Sequence, residues 1–140
     1  MLTDGLDIRW IQGTIVLVEI VADTNTFLAV ALDEPERAGI VQLTIGHDLV
    51  APEVLPFEIG NALTALMKRG VLQGREVSAV WDVDLRAVDI KEALGIAVRF
   101  GMYAYDAYFL ECALSLRLPL LTLDKAMKSV ARELVIEVLE

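Results

Sequence analysis

Cysteine and histidine are almost missing from this 140-residue chain, which holds one of each, Cys112 and His47. A lone cysteine excludes a disulfide framework and fits a reducing cytoplasm; Cys112 reads as a small helix-core residue. Zinc is a poor fit, because these two side chains are its preferred donors and there are no others. His47, in Gly46-His47-Asp48, reads as part of a surface turn. Long apolar runs are missing as well. The run Ile15 to Ala22 is interrupted by Glu19 and falls far short of the ~20 residues that a membrane span requires. The first residues, Met1 to Asp7, are acidic rather than basic, so no secretory signal is expected. Positive charge is scarce, with 12 Lys and Arg against 21 Asp and Glu, a net charge of −9 and a pI near 4.5. That balance argues against broad, sequence-independent nucleic-acid binding, which depends on cations neutralising phosphates. It does not exclude a nucleic-acid enzyme whose acidic site holds metal ions. Repeats, low-complexity stretches and linkers are not seen either.

What is present is apolar. Hydrophobic residues make up 56% of the chain and the mean hydropathy is +0.55. Strands covered on both faces, as in an α/β fold, absorb that excess. Strand and helix patterns alternate, which predicts a mainly parallel sheet covered by helices. Strands are expected over Ile15 to Ala22, Leu49 to Ala51, Ala87 to Ile90 and Leu120 to Leu123, with Val135 to Leu139 a possible last one. Helices are expected over Thr26 to Leu32, Arg37 to Ile45, Glu53 to Gly70, Gly74 to Asp84, Lys91 to Phe100, Tyr103 to Leu116 and Lys125 to Leu134. Residues 15–140 read as one domain and residues 1–14 as an N-terminal extension whose status the sequence leaves open.

Four carboxylates stand where packing alone would not put them. Asp23 follows the run ending at Ala22, and Asp124 follows Leu120-Leu121-Thr122-Leu123. Glu58 shares a helical face with Val54, Leu55, Ala62, Ala65 and Leu66, and Asp106 shares one with Leu110, Ala113 and Leu114. In an open parallel sheet, ligands bind beyond the carboxyl ends of the strands, where Asp23 and Asp124 are expected. Each is also in place to be the N-cap of the following helix. If the fold brings all four together they repel, and an all-oxygen set of this kind suits Mg2+ or Mn2+.

Asp23-Thr24-Asn25 after a first strand, and Ala51-Pro52 leading to Phe57-Glu58-Ile59-Gly60-Asn61-Ala62-Leu63, are similar to the motifs of PIN domains. Tyr105-Asp106-Ala107-Tyr108 and Leu121-Thr122-Leu123-Asp124 follow in the same order. The resemblance spans about residues 15–140 and looks nearest to the VapC-like toxins of type II toxin–antitoxin pairs. It implies a three-layer fold, with a short, mainly parallel sheet of four to five strands between helices, and a Mg2+- or Mn2+-dependent ribonuclease. By that resemblance Asp23 and Asp106 are the principal metal ligands, and Glu58 and Asp124 complete the catalytic site. Asn25 and Thr122 would orient water or phosphate. The implied partners are RNA, an antitoxin protein and further copies of the chain, as a homodimer or higher oligomer in the cytoplasm, with no membrane involved.

Other readings stay open on the residues alone. A housekeeping PIN nuclease or a catalytically inactive PIN-fold interaction protein would share the fold. A phosphatase using Asp23 lacks a second Asp two residues on, where Asn25 stands, and a receiver-like domain would need an acceptor such as Asp89. Lys68, Arg69, Arg75, Lys125, Lys128 and Arg132 are the cations available for RNA, although each also fits a solvated helix face.

Overall fold

Residues 8–11, 14–71 and 83–140 are described by a computed structural model of the chain. The short apolar runs form a four-stranded, all-parallel sheet of β3 (Glu19–Ala22), β4 (Asp48–Pro52), β5 (Asp84–Arg86) and β6 (Leu120–Leu121), in the order β5-β4-β3-β6. A separate antiparallel pair, β1 (Ile8–Ile11) and β2 (Thr14–Leu17), sets Ile8 against Leu17 and Ile11 against Thr14. The single strand expected from Ile15 to Ala22 is therefore two. Its first half pairs with β1, and its second enters the main sheet with Glu19 beside Asp48.

Six helices are seen among the described residues: α1 (Thr24–Ala31), α2 (Arg37–Thr44), α3 (Leu55–Lys68), α4 (Ile90–Phe100), α5 (Ala104–Leu116) and α6 (Lys125–Glu133). Side chains alternate across each strand, so neighbours in sequence fall into different cores. Val21, Val50 and Leu120 pack with α3, α4, α5 and α6 through Leu55, Ile59, Leu63, Ile96, Phe109, Leu110 and Met127. Ile20 and Leu121 pack on the opposite face with Ala29 of α1 and Ile40 of α2. Helices thus cover both faces of the sheet, the three-layer arrangement expected. Helix α5 is apolar almost all round and buries Ala107, Phe109, Leu110, Cys112 and Ala113, which makes it the central helix. Cys112 is a core residue, its thiol pushed up to about 12 by burial and by the nearby Glu111 carboxylate.

Helix ends follow local chemistry. Gly70 and Gly101, just past the ends of α3 and α4, adopt left-handed backbone at φ +75° and +64°. The strand expected over Ala87 to Ile90 lies instead at Asp84–Arg86. Asp89 accepts from the Glu92 amide at 3.1 Å and starts α4 at Ile90, while pairing with β4 selects the earlier residues. Most of the helix expected over Gly74 to Asp84 lies outside the described residues. The last strand reduces to one parallel bridge, Leu120 with Val138. No described helix is long and apolar enough to cross a membrane.

Candidate functional site

The order β5-β4-β3-β6 changes direction at β3. The chain steps outward from β3 to β4 to β5, then returns to place β6 on the other side of β3. Two connections leave in opposite directions there, which opens a crevice beyond the carboxyl ends of β3 and β6. Ala22 lies beside Leu121 in register, so the residues that follow, Asp23 and Thr122, leave the sheet side by side.

Asp23 is held tightly. It is 4% exposed, caps α1, and its Oδ1 accepts from the Thr26 amide at 3.0 Å and the Thr26 hydroxyl at 2.6 Å. Its Oδ2 accepts from the Thr122 hydroxyl at 2.5 Å. Thr122 is 1% exposed and its oxygen also receives the Asp124 amide at 3.1 Å. Thr122 is buried and is not among the residues lining the cleft above Asp23; its hydroxyl holds the Asp23 carboxylate and the Asp124 backbone amide. Asp124 caps α6, with Oδ1 accepting from the Ala126 and Met127 amides at 2.8 and 3.2 Å. Both strand-end acids are therefore caps as well as site candidates; the two readings do not compete.

A cleft of about 560 Å3 opens above Asp23. Its wall carries Asp23, Thr24 and Asn25 of the α1 start, Phe57, Glu58 and Asn61 of α3, and Tyr105, Asp106 and Phe109 of α5. Glu58 and Asp106 are half-buried at the margins of their apolar faces, where a carboxylate reaches the crevice and still meets water. The Thr24 hydroxyl donates to Glu58 Oε2, tying α1 to α3 across the cleft. Asp124 does not line the cleft, although its charge reaches it.

Electrostatics links all four acids. Asp23 is raised above the usual carboxylate range by burial and by Asp124, against the lowering effect of the three hydrogen bonds it accepts. Burial raises Glu58, and Asp106 and Asp23 add to the shift. Asp106 is raised by burial, then by Asp124 and Asp23. Among the described residues no ion pair joins any of the four to a Lys or Arg. Some of the positive charges are occupied elsewhere: Arg86 pairs with Glu19 and Asp84, and Lys128 and Arg132 with Glu140. Arg75 lies outside the described residues.

The donor set tests which ion would fit. Among the described residues no group of three His, Cys, Asp or Glu side chains stands together so as to hold a metal ion by itself. Hard oxygens around an open cleft do fit a hydrated Mg2+ or Mn2+, which takes one or two carboxylates and keeps several waters. His47 is remote from the cleft, its Nδ1 3.0 Å from the Val18 carbonyl oxygen, and Asp89 is the cap of α4.

Two site features escaped the sequence reading. Thr26 stands three residues after Asp23, the spacing by which a cap meets the helix's third amide, and that spacing was a usable signal. The Thr24–Glu58 bond joins residues 34 apart and had no local signal. A fifth misplaced acid was also overlooked: Glu111 is buried in α5 with Oε2 unpartnered, away from the cleft lining.

Comparison with known proteins bears on the fold and the family. The sequence pattern described as PIN domain matches residues 20–133. The crystal structure of PAE2754 from Pyrobaculum aerophilum matches with a TM-score of 0.61 at 22% identity, covering 84% of this chain and 97% of that one, a likeness that speaks to the fold. No curated protein matches the sequence.

Proposed function

The chain belongs to the PIN domain family, whose members are metal-dependent nucleases, and from that premise we propose that it is a Mg2+- or Mn2+-dependent ribonuclease. The observation that carries the reading is the shared cleft of Asp23, Glu58 and Asp106, mutually repelling and without a described basic partner. In this reading Asp23, clamped by Thr26 and Thr122, and Asp106 opposite it hold the ion, with Asp124 adding charge from behind. A bound dication supplies positive charge that offsets the carboxylates and the scissile phosphate and makes a coordinated water more acidic. Glu58, with one oxygen engaged by Thr24, positions the attacking water, and Asn25 on the cleft wall orients the phosphate. The one His is remote from the cleft, so in-line attack by water is expected to leave a 5′-phosphate and a 3′-hydroxyl.

We extend the reading to the toxin of a toxin–antitoxin pair, on the strength of the motifs around Asp23, Glu58, Asp106 and Asp124. An antitoxin would place a basic side chain among these acids, which the net charge of −9 favours. Ile90, Leu94 and Val98, exposed at four-residue steps on α4, give an apolar strip suited to a protein contact, including self-association. The test is incubation with total RNA and mapping of the cut ends. Cleavage is expected with Mg2+ or Mn2+, lost in EDTA, and abolished in Asp23→Asn and Asp106→Asn. Full activity in either variant rejects the assignment. Growth arrest on expression of the wild type, relieved in Asp23→Asn, separates a toxin from a housekeeping nuclease.

A further inference from the structure

The acids are one part of the cleft wall; much of the remainder is aromatic. Phe57 is 77% exposed and Tyr105 is 56% exposed, and both line the cleft. Each precedes an acid on its helix, Phe57 before Glu58 on α3 and Tyr105 before Asp106 on α5. Two helices therefore bring the same aromatic–acid pair to one cleft. Tyr105 is held in place, its ring meeting that of Tyr108 edge-on, with centroids 5.8 Å apart and planes at 88°. Phe57 leaves most of an apolar ring in water, a cost that an occupant of the cleft would relieve. Among the described residues no Lys or Arg lines this cleft.

We propose that Phe57 and Tyr105 are the platform on which unpaired nucleobases stack beside the phosphate presented to the acids. The inference rests on the nuclease reading of the same cleft and adds how that cleft holds its substrate. With no described Lys or Arg on its wall, the cleft has no side chain to neutralise the phosphates flanking the one presented to the acids. Stacking is indifferent to phosphate charge and to base identity, because every base has a π-face. Bases within a duplex are already stacked on one another and do not offer their faces to a side chain, whereas those of loops and single strands do. Binding should accordingly vary little with salt.

The test is fluorescence anisotropy of the full chain in Mg2+ on ice, with probe integrity checked on a gel after each titration. Three end-labelled probes of equal length are used: oligo(A), the same backbone carrying abasic sugars, and oligo(A) annealed to oligo(U). Wild type should prefer oligo(A), with a shallow salt dependence. Phe57→Ala and Tyr105→Ala should each weaken oligo(A) binding by roughly 5- to 150-fold, the equivalent of ~1–3 kcal/mol per stacked base. Phe57→Trp and Tyr105→Phe should retain it, and all variants should bind the abasic probe equally weakly. The proposal is overturned if the alanine variants match wild type on oligo(A), if they lose the abasic probe to the same degree, or if no probe binds. It is also overturned if they change only the sedimentation mass, which would give the rings to a protein contact. Failure of the nuclease reading looks different: wild type would bind oligo(A) through the two rings yet leave it uncut on warming.

Discussion

Replacing Asp106 by Asn removes a charge from the acid cluster and keeps the shape of the side chain. Asp106 is half-buried on α5, is raised by burial and by the charges of Asp124 and Asp23, and has no described basic partner. Like charges facing one cleft repel by about 1–4 kcal/mol at an effective dielectric of ~20. Water reaching a half-buried group screens this to about 1 kcal/mol. The metal-free variant should therefore melt roughly 3 °C higher than wild type near pH 8, given about 2–4 °C per kcal/mol for a domain of this size. The sign of the pH dependence follows from the raised folded-state pKa. Stability contributed by such an acid is fully present below the ordinary carboxylate range near ~4 and is lost as pH rises through the higher folded value. The gap between variant and wild type should thus close as pH falls toward ~4, where wild-type Asp106 carries a proton. Metal reverses the order: an ion at 100 times its Kd stabilises wild type by about 2.7 kcal/mol, and the variant should gain much less. Thermal melts in EDTA and in Mn2+, at several pH values, read all three effects. An Asp106→Asn protein that melts well below wild type in EDTA at pH 8 would refute the repulsion argument and give Asp106 a structural role.

Thr122→Val removes the hydroxyl that holds Asp23 Oδ2 and receives the Asp124 amide. A loss of about 1–3 kcal/mol in denaturant unfolding is expected, together with reduced cleavage; unchanged stability would show that the two acids hold themselves. Val135 is 90% exposed and sits at φ +59° just past α6, where its amide and that of Ile136 return to the Arg132 and Ala131 carbonyls. A β-branched residue is strained in that left-handed position, so Val135→Gly should raise stability by about 1 kcal/mol in urea unfolding. Glu111, raised first by burial and carrying an unpartnered oxygen, destabilises the fold where it is charged. Glu111→Gln should melt higher than wild type at pH 8 and lose that advantage below the ordinary carboxylate range; an equal advantage at every pH would place the effect in packing.

The sequence by itself determined the layered fold and most element types. Apolar runs such as Ile20-Val21-Ala22 can be satisfied only by burial on both faces, and three- and four-residue periodicity sets α3 and α5 against them. It also marked Asp23, Glu58, Asp106 and Asp124 as misplaced, since that judgement needs only local pattern. Local pattern misjudged short segments, placing a strand at Ala87 to Ile90 where a cap at Asp89 and pairing with β4 moved it to Asp84–Arg86. The partnership of distant groups was decided by tertiary structure alone. Reversal of strand order at β3 sets Thr122 against Asp23, 99 residues away, and packing of α1 beside α3 gives Glu58 to Thr24. Such contacts arise from which edge of the sheet a returning strand joins, and that choice is made by the free energy of the whole core; no residue near either end of the contact records it.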